Sequence, residues 1–292
     1  MKRPTPLSPG NSLGVCAPSA RFDTEKLNLG IQVLKSLGFK VKVPVEIFEK
    51  KRYLAGDDMV RANVINRLFS DPAIDGIICA RGGFGSIRIL DHLNWNIIKQ
   101  NPKPFIGFSD NTAILLAIID ETENAVIHGP NVVSLAQAQE DTINAFYKTL
   151  NGSFDKIDMT NGQILKSGKC TGVLKGGNMA TICHLVGTRF QPDFKNTVLF
   201  LEDIGEPAYK IDRMLTQMKM AGLFKGIQGV IAGTFENCDN DEYVKEILLE
   251  IFEGYNVPIF SGLDAGHGKV NLPLCMGTHI KMDTKFAKIQ WI

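Results

Sequence analysis

Along the first half of the chain, short runs of almost unbroken apolar residues alternate with longer stretches whose apolar positions recur every three or four residues. SLGVCAP is a run of the first kind and predicts a short buried strand. TEKLNLGIQVLKSLGF is of the second kind and predicts a helix with Gly38 as its C-cap. KVKVPVEIF then reads as strand, DDMVRANVINRLFSD as a helix with acidic residues at its start, and IDGIICA as strand. SIRILDHLNWNIIKQ reads as helix, KPFIGF as strand and NTAILLAIIDE as helix. This alternation predicts βαβ units, and so an α/β fold with a parallel sheet covered by helices on both faces.

From about residue 150 the pattern changes. NGSFDKIDMTNGQILKSGKCTGVLKGGN is rich in Gly, Lys and turn formers, which predicts a linker followed by short strands. NTVLFLED then predicts a buried strand, AYKIDRMLTQMKMAGLF an amphipathic helix, IQGVIAGTF a strand and DEYVKEILLEIFEGY a helix. The tail VPIFSGLDAGHGKVNLPLCMGTHIKMD is loop-rich between strand pieces. Two domains are expected: residues 1–150, a linker at 151–165, and residues 166–292.

Composition narrows the partners. The 32 Lys and Arg almost balance the 31 Asp and Glu, so neither a nucleic acid nor an anionic membrane is expected, and a small ligand fits better. MKRPTPLSPGNSLGVCAPSA has no apolar core and does not read as a secretory signal, and no run has the length of a membrane helix. The six cysteines are scattered, several within apolar runs such as GIICA, and form no C-x-x-C pair. A reduced cytoplasmic protein without a bound metal or other cofactor is expected.

Within KPFIGFSDNTAILLAI, Ser109 follows a predicted strand and precedes a predicted helix. That context suits a nucleophile elbow, in which a sharp turn lifts the hydroxyl clear and leaves the N–H of Asp110 to face an oxyanion. It departs from G-x-S-x-G, since Asn111 stands where the second glycine would be. Either Ser109 or Asp110 could equally serve as a helix N-cap. ARGGFGS also lies between a strand and a helix, so Gly83 is either part of a tight turn or a second oxyanion donor. Its spacing is not that of a dinucleotide loop, and no Walker lysine follows.

A serine nucleophile needs a base. His92 and His184 fall in helical stretches and His279 in an alternating strand, all poor positions for one. His128, in VIHGPN, stands at a strand end and could border a cleft; His267, in DAGHGKVNLP, lies in a glycine-flanked loop. An orienting carboxylate could come from Glu202, which follows four apolar residues in VLFLEDIGEPAY, with Asp203 and Glu206 as rivals. The same three acids are also open to reading as an ordinary acidic loop.

These blocks together resemble the LD-carboxypeptidase family of serine peptidases, which includes the microcin-immunity-type enzymes. The resemblance runs in order through GVCAPSA, ARGGFGSIRIL, FIGFSDNTAIL, HGP, GVLKGGNMATICHLVGT, LFLEDIGEPAYKIDRML and AGHGKVNLPL. It implies a flavodoxin-like or Rossmann-like N-terminal domain, a smaller C-terminal α/β domain, and a Ser–His–Glu triad at their interface. By the matching blocks the nucleophile is Ser109, the carboxylate Glu202 and the base His267, with the N–H groups of Gly83 and Asp110 as oxyanion hole. One departure is LPLCMG, where the family more often reads LPLG; it lies beyond His267 and bears on loop shape.

The implied reaction is hydrolysis of an amide between an L-centre and a C-terminal D-amino acid, releasing D-alanine from murein tetrapeptide in cytoplasmic cell-wall recycling. Arg81 or loop N–H groups near it are candidates for the substrate carboxylate, His128 is a further candidate for substrate binding, and a homodimer is implied. In the microcin-immunity branch the substrate would be a peptidyl-nucleotide, which asks for an aromatic surface; the two tryptophans, Trp95 and Trp291, lie outside the site blocks. A non-catalytic protein gripping a small anion at helix N-termini is the alternative of a different class.

Overall fold

The computed structural model describes residues 4–153, 155–159 and 161–292. The first three residues, where the leader reading begins, and Phe154 and Thr160, within the expected linker, lie outside the described residues. In chain order the first elements are β1 (Ser12–Cys16), α1 (Thr24–Ser36), β2 (Lys40–Lys42), α2 (Asp58–Ser70), β3 (Gly76–Cys79), α3 (Trp95–Gln100), β4 (Phe105–Gly107), α4 (Thr112–Thr122), β5 (Val126–His128), α5 (Val132–Leu135) and α6 (Glu140–Leu150). Then come β6 (Lys156–Asp158), β7 (Gln163–Lys166), β8 (Lys169–Asn178), α7 (Met179–Leu185), β9 (Thr197–Ile204), α8 (Ala208–Met220), β10 (Gly229–Glu236), α9 (Asp241–Ile251), β11 (Ile259–Ser261), β12 (Leu274–Met276), β13 (His279–Asp283) and β14 (Lys288–Trp291). By compactness they divide into two units: residues 1–154 with Leu272–Cys275, and residues 155–271 with 276–292.

The first unit is built on a sheet with strand order β12-β5-β4-β3-β1-β2, in which β1 to β5 run parallel. The central strands read as continuous apolar runs because both faces are covered; every residue of β3 and β4 is buried. Helix α4 is apolar on all sides and accordingly buried almost throughout. Helix α1 starts where the Asp23 carboxylate accepts from the N–H groups of Glu25 and Lys26, at 2.9 and 3.0 Å. It stops at Leu37, after which Gly38, at φ +93°, turns the chain toward β2.

The stretch Ser86–Gln100 is not one helix. Ser86–His92 winds as a 3-10 helix, Leu93 is extended, and Asn94 restarts the chain as α3 by accepting from the Ile97 N–H at 3.1 Å. An asparagine side chain that can replace a backbone acceptor favours a cap over continued helix. Likewise KVKVPVEIF forms only the short β2 before Pro44, after which Val45–Phe48 is a 3-10 turn.

The second unit carries a sheet of order β6-β14-β13-β8-β9-β10-β11-β7. Its middle strands β8, β9, β10 and β11 are parallel, and antiparallel strands finish both sides. Residues 151–165, read from the sequence as a linker, thus contribute β6 and the start of β7, both edge strands. Their polar, half-exposed composition is what an edge tolerates and what makes an edge look like a loop in sequence.

The six cysteines are free thiols. Among the described residues no helix is long and apolar enough to cross a membrane, and no group of three or more His, Cys, Asp or Glu side chains is placed to hold a metal.

Candidate active site

In the first unit, β3 and β4 are parallel neighbours, and the loops leaving their carboxyl ends carry Ala80–Ser86 and Phe108–Asn111. Open α/β sheets bind ligands at that end of the strands. Ser109 begins a 3-10 turn that feeds α4, and its φ is +64°. A side chain in this left-handed region costs about 1–2 kcal/mol, so the surroundings must impose it. The glycine-rich loop does so by close approach. A Cβ on Gly82 would stand 2.7 Å from the Ser109 Cβ, 2.9 Å from its Oγ and 3.5 Å from the Asp110 backbone nitrogen.

Two further contacts lock these loops together. The Ser86 N–H donates to Asp110 Oδ2 at 2.9 Å, and the Ser86 hydroxyl donates to the Asp110 carbonyl. The side chain of Asp110, read from the sequence as a cap for α4, therefore faces the glycine-rich loop instead, and no side chain caps that helix. The Asn111 amide donates to Ser19 Oγ at 3.0 Å and to the Arg81 carbonyl at 3.4 Å. Gly83 has φ +107°, with a Cβ-sized space already filled by Ala20. Its N–H has no hydrogen-bond partner among the described residues.

Arg81 is exposed, and its guanidinium donates to the Arg21 carbonyl at 2.8 Å rather than to an acid. His128 is wholly buried at the end of β5, edge-on to Phe108 with ring centroids 6.1 Å apart. It offers a substrate no surface. Arg61 was not among the residues singled out from the sequence. Its buried guanidinium donates to the carbonyls of Pro18 and Gly85, the latter at 2.9 Å, and pairs with Asp58. The signal was present: Arg61 shares the apolar face of its helix with Val64, Ile65 and Leu68, where a charge needs a buried task.

In the second unit, Glu202 lies near the carboxyl end of β9 with 0% exposure. Its Oε2 meets His267 Nδ1 at 2.6 Å, in the range of a charge-assisted hydrogen bond. The loop around His267 is shaped for that contact: a Cβ on Gly266, at φ +113°, would fall 2.6 Å from the same oxygen. Burial pulls the imidazole pKa down, but the hydrogen bond and charge of Glu202 outweigh it, with Asp203 and Glu236 adding, so that His267 lies above its ordinary 6.5. Asp203 is pushed up to about 6, chiefly by burial and by the neighbouring Glu202, against hydrogen bonds from Ile204, Ala180 and Asn178. Glu206 sits apart in a 3.5 Å pair with Lys210. His92, His184 and His279 are exposed, and none of the three pairs with a carboxylate among the described residues.

Of the residues expected to act, the first unit therefore gathers Ser109, Asp110 and Gly83, and the second gathers Glu202 and His267. A strained serine at the head of a helix and a histidine fixed through Nδ1 by a carboxylate are the parts from which hydrolases of the serine class are made.

Comparison with known proteins gives the family. Residues 13–129 match the LD-carboxypeptidase N-terminal domain and residues 171–282 the LD-carboxypeptidase C-terminal domain. A probable murein peptide carboxypeptidase of Bacillus subtilis is 33% identical over 296 residues, covering 97% of this chain and 92% of the relative. The structure of a muramoyltetrapeptide carboxypeptidase from Oxalobacter formigenes superimposes with a TM-score of 0.85 at 26% identity, covering 96% of this chain and 98% of that one. An MccF-like protein from Bacillus anthracis str. Ames superimposes with a TM-score of 0.91 at 25% identity, over 99% and 98% of the two chains. The chain belongs to the LD-carboxypeptidase family, and with it to the peptidases among the hydrolases.

Proposed function

We propose that the protein is a serine LD-carboxypeptidase that removes the terminal D-alanine from murein tetrapeptide during cytoplasmic recycling of cell wall. The observation that carries this reading is the 2.6 Å bond between Glu202 Oε2 and His267 Nδ1. It fixes the tautomer that leaves Nε2 as the proton acceptor and stabilises the imidazolium once formed. The left-handed Ser109 supports the role of nucleophile.

In this mechanism Ser109 Oγ attacks the carbonyl of the L,D amide while His267 Nε2 takes its proton. The oxyanion is received by the N–H groups of Gly83 and Asp110, each such donor being worth about 3–4 kcal/mol in the transition state. His267 then gives its proton to the departing amine of D-alanine, and a water repeats the sequence on the acyl-enzyme. The free carboxylate of the substrate is assigned to Arg81, whose guanidinium is exposed beside the glycine-rich loop.

The test is mass spectrometry of murein tri-, tetra- and pentapeptides incubated with the protein. Loss of D-alanine from the tetrapeptide alone is expected, and Ser109→Ala is expected to abolish it. Normal turnover by Ser109→Ala would end the proposal.

One observation favours a second substrate class, a peptidyl-nucleotide. Tyr53 and Phe84 are 49% and 42% exposed, with ring centroids 5.9 Å apart, and the Arg52 guanidinium lies 5.9 Å from the Tyr53 ring centroid. Phe84 belongs to the loop packed on Ser109, so this pair offers a stacking surface that the tryptophans do not. Cleavage of a peptidyl-nucleotide in preference to the tetrapeptide, lost in Phe84→Ala, would select that reading.

A further inference from the structure

Strand β10 does not pair evenly with β9. Ala232 is opposite Leu201, but Phe235 is opposite Asp203, so β10 spends one more residue than its partner over the same distance. The extra residue falls where Gly233 and Thr234 together face Glu202. A bulge of this kind leaves one residue outside the ladder and re-aims it.

Thr234 is re-aimed at the loop that carries His267. Its N–H donates to the Ala265 carbonyl at 3.0 Å, and its hydroxyl donates to the same carbonyl at 3.2 Å. The hydroxyl in turn accepts from the Gly268 N–H at 3.0 Å. The loop is thus held two residues before the histidine and one residue after it by a single side chain. Both glycines in the arrangement are required by proximity. A Cβ on Gly233 would lie 2.4 Å from the Ala265 oxygen, and one on Gly268 would lie 2.7 Å from Thr234 Cγ2.

Packing does not supply the same restraint on this side. Thr234, Glu236, Ser261 and Asp264 border an open cavity of about 570 Å³. Glu202 holds the imidazole at Nδ1. The backbone on either side of the histidine sets where the ring's other nitrogen points.

We propose that Thr234 is a positioning residue for the base: through Ala265 and Gly268 it fixes the direction of the His267 ring in its bond to Glu202. The assignment rests on reading His267 as the general base. It calls for a hydroxyl with a donor and an acceptor in use at once, which serine shares and valine lacks.

The experiment uses the full-length protein labelled with ¹⁵N-histidine, as wild type, Thr234→Val, Thr234→Ser and Gly268→Ala. Assignment of the His267 signals comes from their absence in His267→Gln. Thr234→Val is expected to weaken or lose the low-field Nδ1 proton resonance of His267 and to move the ring's titration to lower pH. Its kcat on murein tetrapeptide is expected to fall about tenfold to a hundredfold with little change in KM, the size of effect that a small misplacement of a catalytic group produces. Thr234→Ser should stay close to wild type in every readout. Gly268→Ala presses on the same contact from the other side and should reproduce the valine phenotype, which decides the matter if Thr234→Val does not fold.

Unchanged His267 signals in a folded Thr234→Val, or equal damage in the serine and valine variants, would overturn the proposal. Absence of turnover in every form, with the His267 signals still shifted by valine and restored by serine, would sink the peptidase reading and leave the positioning role standing.

Discussion

Gly82 lacks a side chain because Ser109 occupies the place where one would be: a Cβ there would stand 2.7 Å from the Ser109 Cβ. The glycine-rich loop and the serine turn are therefore one piece of structure, and a side chain cannot be added at position 82 without moving the serine.

Gly82→Ala should leave the fold intact and lower the activity sharply. The added methyl meets a Cβ that belongs to a turn already held in the left-handed region, so the serine must move. A displacement of about an ångström at a nucleophile costs roughly a hundredfold in kcat. Steady-state kinetics together with a thermal melt check both halves of this expectation.

Ser109→Gly should make the protein inactive and more stable. Glycine adopts φ +64° without the steric cost that serine bears, and part of that saving is offset by the freer unfolded chain. A gain of about 0.5–1 kcal/mol over Ser109→Ala is expected from chemical denaturation of the two variants. Equal stability of glycine and alanine at this position would contradict the strain argument.

The acid limb of kcat/KM should lie above pH 6.5. A general base works only when neutral, and Glu202 holds His267 protonated to a higher pH than usual, so activity falls as pH drops through that raised value. Glu202→Gln removes the charge and leaves burial, which acts the other way; the limb should move to lower pH, and kcat should drop by about 10³–10⁴. The same linkage gives the stability its sign. The pair contributes fully below pH 6.5 and fades as pH rises through the folded value. A pH series of melts on wild type and Glu202→Gln reads it out.

Asp110→Ala should destabilise the first unit by about 1.5–3 kcal/mol, the range for losing a buried hydrogen bond to a charged acceptor. It leaves the buried Ser86 N–H without the oxygen it reaches at 2.9 Å. Denaturant midpoints compare it with Ser86→Ala, which keeps that bond and should lose less.

Where a residue's task is periodic it could be seen in the sequence. The buried runs of β3 and β4 and the apolar helix α4 announce themselves, and so does the turn between them that holds Ser109. Asn94 hid a helix start inside a continuous helical pattern, because periodicity ignores a side chain that competes with the backbone. β6 and β7 were hidden for the opposite reason: as edge strands they bury little and carry no apolar run. Of the candidate site, Ser109, Glu202 and His267 were legible through whole blocks of family resemblance. Arg61 and Thr234 belong to no such block, since each acts through bonds to backbone carbonyls and amides that no side-chain motif records; for Arg61 the signal was a charge on an apolar helix face. The Gly233–Thr234 pair inside IQGVIAGTF was a hint, as a glycine in a strand often marks a bulge.

Strand β12 has a consequence for how the gene can be cut. It lies next to β5 in the first sheet, although it comes from the end of the chain, after His267. A fragment ending at residue 154 would expose β5, whose residues Val126, Ile127 and His128 are all buried in the whole protein. A short apolar strand with open hydrogen-bonding groups recruits other chains. Such a fragment should come out of expression as aggregate, and supplying the missing strand as a fused tail, rather than trimming the boundary, is the way to a soluble half.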